Sequence, residues 1–335
     1  MKKVLILVAS VLAVLIVAGI LFLRPVPMQV KRTASIKVPA AEVFAKVVDF
    51  HQWPGWSPWL VAEPDTKIEI SGDGKSVGAI YSWEGEIVGT GEIEHINIEE
   101  GKSLDLEIRF TKPFESTSKV AFRFEEDPQS GHSTLVTWSM DGKIPKVMAT
   151  MMGTMVAMDY DRGLSMLKSL CETGEIHSKT EVKGTVERPA VNYIGIQFSC
   201  KMEAIEEASG KAFHDFKAAL EKAGIPVPPE FLSVYSDFDL EAREFGVISG
   251  CAVESLPNPL PEGLVSGTMP AHDAFQVEHK GSFKHLGNGW FVGLQRLHHQ
   301  GLKQNNAIKP YETYPANWEE IPAQDILTKI YFPQK

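Results

Sequence analysis

The chain has 335 residues, of which 44% are hydrophobic and 23% are charged, a composition that is typical of globular protein and excludes wholesale disorder. Its length indicates two domains. With 33 basic and 43 acidic residues, the formal net charge is −10, and no basic cluster of the kind that binds nucleic acid occurs outside the flanks of the N-terminal segment. We therefore expect no nucleic-acid partner.

The N-terminus carries a long apolar segment. Residues 4–23 contain no charged side chain and lie between a pair of lysines and Arg24. About 20 apolar residues are what a helix needs to cross a bilayer, and no Ala-x-Ala-like cleavage site follows. We predict an uncleaved single-pass transmembrane anchor over residues 1–24 and a short extended tether over residues 25–32. The paired lysines favour an N-terminus inside the cell and soluble domains outside the cytoplasm, in the periplasm if the source is a Gram-negative bacterium, although basic residues after the segment favour the opposite orientation.

Patterns of an α+β domain follow. Residues 33–38 alternate as a strand, and residues 39–48 have the apolar period of a helix with proline at its start. Turn residues then separate several strand-like runs, at 67–70, 78–83, 86–98, 102–110, 115–125 and 133–140. The domain closes on a predicted helix over residues 147–170, which carries a stripe of methionines at helical spacing.

This order of elements resembles the START-like polyketide cyclase superfamily, also called SRPBCC. The resemblance rests on the opening Ile36-Lys-Val-Pro-Ala-Ala-Glu-Val-Phe44 and the loop Trp53-Pro-Gly-Trp-Ser-Pro-Trp59, and it covers residues 33–173. It implies a helix-grip fold, in which a curved antiparallel sheet wraps around one long helix and leaves an apolar cavity. The methionine stripe would line that cavity or pack a core, and both interpretations stay open. The domain shows no catalytic constellation.

After a polar linker over residues 174–182, a second domain over residues 183–335 repeats one pattern. The order strand, helix, strand, strand is predicted twice, first at 185–198, 202–223, 231–235 and 244–253, then at 273–280, 283–300, 310–315 and 325–332. The repeat predicts an internal duplication with pseudo-twofold symmetry and a cleft between the halves.

The strongest candidate site is Lys309-Pro-Tyr-Glu-Thr-Tyr-Pro315. In a strand, Tyr311 and Thr313 face one way while Glu312 and Tyr314 face the other. If the Glu312 face looks into a pocket, it combines a carboxylate with a phenol, which suits a cationic ligand or acid–base chemistry. The alternative is a solvated glutamate on an edge strand, since most glutamates are exposed.

The last 150 or so residues resemble the GyrI-like small-molecule-binding domain, the effector-binding domain of AraC- and MerR-type regulators. The resemblance rests on His279-Lys-Gly-Ser-Phe283, on the Tyr-Glu-x-Tyr group and on the terminal Ile-Tyr-Phe-Pro run. It implies that Glu312 is a buried anion facing an aromatic cleft. The implied ligand-binding residues are Glu312, Tyr314, Trp290 and Tyr311. Some members resemble hydrolases, which would make Glu312 a general base and Tyr314 its partner.

Other motifs of catalysis are missing from the sequence. It has no His-Glu-x-x-His, no Gly-x-Ser-x-Gly, no phosphate-cradling glycine loop and no helix-turn-helix, and its three cysteines match no metal spacing. We therefore predict no cofactor and no metal. Three functions stay open: a membrane-anchored protein that captures small amphipathic or cationic molecules, in sensing or protection against toxic compounds; a hydrolase that uses Glu312 to activate water; and a non-catalytic interaction module at the membrane.

Overall fold

The computed structural model describes residues 22–239 and 241–335. The chain forms two compact units whose main divide falls between Gly174 and Glu175. Both units are built from antiparallel strands and helices, as the predicted α+β class requires. The predicted anchor over residues 1–24 lies almost entirely outside the described residues. Among the helices of the described part, none has the length and apolar character needed to cross a membrane.

The first unit is a seven-stranded antiparallel sheet in the order β1-β7-β6-β5-β4-β3-β2. Its strands are β1 Pro25–Ile36, β2 Lys67–Ile70, β3 Ile80–Glu84, β4 Thr90–Glu99, β5 Ser103–Lys112, β6 Ser116–Glu126 and β7 Thr134–Pro145. Its helices are α1 Ala40–Val48 and α2 Lys146–Thr173. Buried and less buried residues alternate along β7, so one face of the sheet covers the core. On that face Tyr160 of α2 stacks on Trp138 of β7, with ring centroids 3.9 Å apart.

The tether predicted over residues 25–32 is wrong. These residues form the first part of β1, which pairs with β7 in register from Pro25 to Ile36. The reason is period-two burial, since Met28 and Val30 point into the core while their neighbours are exposed. Prolines are tolerated here because β1 is the edge strand of its sheet.

The methionine-rich helix α2 packs unevenly. Its buried residues are Ala157, Tyr160, Gly163, Leu164, Met166 and Leu167, and all but Ala157 lie in its second half. In its first half Met151 and Met155 remain 45% and 39% exposed. The stripe is therefore packed core only towards the C-terminal end of the helix.

The second unit is an eight-stranded antiparallel sheet in the order β12-β9-β11-β10-β14-β15-β13-β8. Its strands are β8 Ser178–Arg188, β9 Val191–Lys201, β10 Glu230–Asp239, β11 Glu244–Val253, β12 Val265–Met269, β13 His272–Gly281, β14 Tyr311–Pro315 and β15 Leu327–Pro333. Its helices are α3 Ile205–Lys222 and α4 Leu286–His299. The strand that was predicted over residues 185–198 is two strands, and β8 begins inside the predicted linker. Each half thus has one strand more than predicted.

The predicted duplication is present in the topology. The halves β8-β9-α3-β10-β11 and β12-β13-α4-β14-β15 exchange their first strands, because β8 pairs with β13 and β12 pairs with β9. The helices α3 and α4 begin at Ile205 and Leu286. The same offset in residue number relates Leu232 to Thr313. These two residues are register partners across β10 and β14. The pseudo-twofold axis therefore passes through the centre of the sheet.

Two glycines allow α4 to lie close to the sheet. A Cβ atom at Gly289 would come within 2.7 Å of Ile330 Cδ1, and one at Gly293 within 2.1 Å of Phe332 Cε2. Gly289 and Gly293 are four residues apart and share one face of the helix. Trp290 follows Gly289 directly, so this close approach fixes how far the indole ring extends over the sheet.

We predict that Gly293→Ala destabilises the second unit by about 1–3 kcal/mol, because the buried Phe332 ring must move. Urea unfolding followed by circular dichroism measures the loss. The matched control is Gly210→Ala in α3, where no atom lies within 4 Å of the added methyl group and a gain of up to about 1 kcal/mol is expected from helix propensity. Equal stability changes in the two variants would contradict close packing at Gly293.

Candidate functional site

Strand β14 lies at the centre of the second sheet, between β10 and β15. All four residues of its Tyr-Glu-Thr-Tyr run are buried. The solvated edge-strand alternative is therefore wrong, because neighbouring strands cover both edges of β14. The side chains alternate, so Glu312 and Tyr314 face the helices while Tyr311 and Thr313 face the opposite side.

Glu312 is 4% exposed and is bound by two neutral donors. The Tyr235 hydroxyl on β10 donates to Oε1 at 3.1 Å, and the Trp290 indole N–H on α4 donates to Oε2 at 2.9 Å. Tyr235 and Trp290 meet edge to face, with ring centroids 4.6 Å apart. Within residues 22–239 and 241–335, no basic side chain forms an ion pair with Glu312. The site is a buried carboxyl group under an aromatic corner.

Burial sets the protonation of this carboxyl group. Removal from water raises the pKa of Glu312 to about 7, and the hydrogen bonds from Trp290 and Tyr235 oppose that rise. Both the acid and the carboxylate are therefore populated near neutral pH. The carboxylate form can attract a cation or accept a proton.

Tyr314 shares the strand face with Glu312 but bonds elsewhere. Its hydroxyl is 3.0 Å from Ser233 Oγ, and its ring lies edge-on between Phe213 and Phe283, with centroid distances of 5.3 Å to each. Burial raises the pKa of the Tyr314 phenol well above its ordinary value. Its hydrogen bond holds it in the core next to the site.

The phenol that contacts the carboxyl group is Tyr235, which sequence reasoning did not select. Residues 231–235 were predicted as a strand, and alternation would place Tyr235 on the same face as Phe231 and Ser233. The sequence does not show that β10 pairs with β14, and in this pairing Ser233 lies opposite Glu312. That pairing depends on the sheet order.

Tyr311 belongs to the other face of the sheet. Its hydroxyl accepts a hydrogen bond from Arg188 Nε at 3.1 Å, and its ring stacks on Tyr331 with centroids 4.8 Å apart. The structure therefore brings Glu312, Trp290 and, next to them, Tyr314 to one face. It separates Tyr311 from them by the thickness of the sheet.

The duplication does not duplicate the site. The pseudo-twofold axis passes between Leu232 and Thr313, so it relates Glu312 to Phe231 and Tyr314 to Ser233. Phe231 is fully buried and stacks on Phe213. Only one half of the domain presents a carboxyl group at this position.

Two families match the two parts of the chain. Residues 27–172 match the family described as polyketide cyclase / dehydrase and lipid transport. Residues 185–335 match the GyrI-like small molecule binding domain. Both resemblances inferred from the sequence are thereby confirmed, and small-molecule binding is the function class that the matched domains support. Among curated proteins, none matches the chain.

Solved structures resemble the two parts separately. A protein from Mesorhizobium loti is 15% identical, covers 44% of this chain and 99% of its own, and has a TM-score of 0.35. A protein from Chromobacterium violaceum is 12% identical over 43% of this chain and 98% of its own, with a TM-score of 0.34. The EcmrR C-terminal domain is 19% identical over 47% of this chain and 98% of its own, with a TM-score of 0.39. We infer nothing about function from similarities of this size.

Among the described residues, no group of three or more histidine, cysteine, aspartate or glutamate side chains is placed to hold a metal ion.

We predict that Tyr235→Phe raises the pKa of Glu312 by roughly one unit, because the carboxylate loses a donor that stabilises its charge. A titration followed by carbon-13 NMR of labelled glutamate measures the shift. Tyr314→Phe is the matched control, since its hydroxyl bonds Ser233. A shift in Tyr314→Phe as large as that in Tyr235→Phe would contradict the assignment.

Proposed function

We propose that this chain is a membrane-anchored protein that binds small apolar or cationic organic molecules, with Glu312 as the anion of its binding site. The observation that carries the proposal is a buried carboxyl group with two neutral donors and no basic partner among the described residues. Burying a charge without a counterion is costly, and a cationic ligand that reaches Glu312 would supply that counterion. The rings of Tyr235 and Trp290 add cation–π attraction.

Membrane attachment is part of the proposal and is supported by the sequence of residues 4–23. A single-pass anchor with the soluble domains outside the cytoplasm would expose the binding site to compounds that arrive from the environment. Capture there suits a role in sensing toxic amphipathic compounds or in protection against them. To test this orientation, an exposed residue such as Lys222 is replaced by cysteine and intact cells are labelled with an impermeant maleimide. If the cysteine is labelled only after the cells are lysed, the proposed orientation is wrong.

We predict that tetraphenylphosphonium, a lipophilic cation without titratable groups, binds more tightly as the pH rises through about 7, because Glu312 then becomes ionised. Glu312→Gln should weaken binding at pH 8 by about tenfold or more and remove the pH dependence. Calorimetric titration of the full chain in detergent measures both effects. Tetraphenylborate, which has the same shape and the opposite charge, is the matched control. Equal affinity for the two ions would contradict the proposal.

The same carboxyl group predicts a stability effect. The folded-state pKa of about 7 lies above the ordinary glutamate value of 4.5, so the native protein binds the proton more tightly and loses stability as the pH rises from about 4.5 to 7. We predict that Glu312→Gln gains on the order of 3 kcal/mol at pH 8 and changes little at pH 4. Chemical unfolding at the two pH values measures this difference. A variant that is destabilised equally at both would show that the charge is not the cause.

A second candidate, a hydrolase, is favoured by one observation. A carboxyl group with a pKa of about 7 is well matched to general-base catalysis at neutral pH. In that case Glu312 would take a proton from water, and Tyr235 would orient the carboxylate. Mass spectrometry of each bound compound over hours separates the two functions. Consumption of the compound by the parent, slowed roughly 10²–10⁴-fold in Glu312→Gln while binding persists, identifies a hydrolase. A chain that binds no small molecule saturably would instead be an interaction module.

A further inference from the structure

A pocket lies on the face of the sheet opposite Glu312. Its volume is about 240 Å³, and its walls are largely apolar, formed by Val191, Pro229, Leu232, Met269 and Tyr311. Drug-sized ligands occupy pockets of about 300–1,000 Å³, so this one is suited to a smaller molecule. Leu232 and Tyr311 also belong to a buried apolar cluster, which gives the pocket a packed floor.

One cation is fixed at the wall of this pocket. Arg188 donates from Nε to the Tyr311 hydroxyl at 3.1 Å, and its guanidinium carbon lies 4.3 Å from the centroid of the Tyr331 ring. These contacts hold the planar group from its side and its face. Within the described residues, its two terminal nitrogens have no hydrogen-bond or ion-pair partner. They are the part of a guanidinium group that binds a carboxylate in a bidentate manner.

The acidic residue in the pocket is engaged elsewhere. Glu230 accepts a hydrogen bond from Thr313 Oγ1 at 2.9 Å, and its Oε1 lies 3.9 Å from Lys329 Nζ. Within the part of the chain that the structure describes, Arg188 forms no ion pair with Glu230, so the guanidinium charge is not neutralised at contact distance. Glu230 still adds negative potential to the pocket, and this potential weakens the binding of an anion at Arg188.

We infer that this pocket binds a small organic anion, a monocarboxylate with an apolar or aromatic body, whose carboxylate pairs with the terminal nitrogens of Arg188. The apolar walls would cover the body of the ligand, and the pinned guanidinium group would set its orientation. Because Arg188 is held in place before the ligand arrives, little side-chain entropy is lost on binding. The site goes beyond the proposed function, since it uses the other face of the sheet and the opposite charge.

The test uses the full chain and 4-fluorobenzoate, followed by fluorine-19 NMR, with the neutral isostere 4-fluorobenzamide as the control ligand. We expect saturable binding of the benzoate with a Kd of about 1 mM or below, and binding of the amide at least about tenfold weaker. Equal affinity for the two ligands, or no saturable binding of the benzoate in this range, overturns the inference. Neither result depends on a variant that has to fold.

Variants locate the site. Arg188→Met should weaken benzoate binding by about tenfold or more, and Arg188→Lys should recover part of it, since lysine keeps the charge but lacks the fork. Lys222→Met removes a positive charge from an exposed position on α3 and should leave the affinity unchanged. Unaltered affinity in Arg188→Met overturns the assignment.

Glu230→Gln should change the affinity for benzoate in the opposite direction to Arg188→Met. Removal of this negative charge should tighten benzoate binding severalfold, because the carboxylate of the ligand is no longer repelled. A zwitterionic ligand would behave in the opposite way, with its ammonium group on Glu230. Weaker benzoate binding in Glu230→Gln would therefore overturn the assignment of an anion site.

Discussion

The burial of one carboxyl group without a cationic partner is the constraint on which the second domain depends. Removing a carboxylate from water costs several kcal/mol, whereas each hydrogen bond to a charged group contributes about 1.5–3 kcal/mol. Two donors from Tyr235 and Trp290 therefore offset only part of the cost to Glu312. The part of the desolvation cost that these donors do not offset raises the pKa of Glu312, so the carboxyl group keeps its proton up to about neutral pH. Its protonation therefore depends on the pH.

Holding this group in place requires elements from both halves of the duplication. Strand β14 is fixed by β10 and β15, so Glu312 cannot move towards solvent without breaking the centre of the sheet. Tyr235 comes from the first half and Trp290 from the second. The other half stabilises the fold at the equivalent position, where Phe231 packs with Phe213 and Phe216. Duplication thus provides an apolar copy, in which Phe231 packs against α3, and a polar copy, in which Glu312 is held by Tyr235 and Trp290.

Much of this architecture follows from local sequence patterns, because the period of two in strands and of 3.6 in helices depends only on neighbouring residues. The succession of strands along the first domain, the long helix that closes it and the alternation within Tyr311–Pro315 could all be predicted. The burial of Glu312 does not follow from local patterns and was implied only by the family resemblance, because it depends on which strands lie on either side of β14. Tyr235 was missed for the same reason, since only the register of β10 against β14 brings it to the carboxyl group. Strand β12 was missed because its Val-Ser-Gly-Thr-Met sequence is short and has little β propensity at its centre.

The two faces of β14 explain why opposite charges can be used so close together. Glu312 points to the helix face, while its neighbour Tyr311 points to the other and holds Arg188. A glutamate and an arginine on the same face would form an ion pair and neutralise each other, and neither would attract a ligand. The backbone of a central strand cannot turn a side chain to the other face without losing its register, because every residue would have to change sides. Among the described residues, the thickness of the sheet therefore separates a carboxyl group that has no ion-pair partner from an arginine whose terminal nitrogens have none.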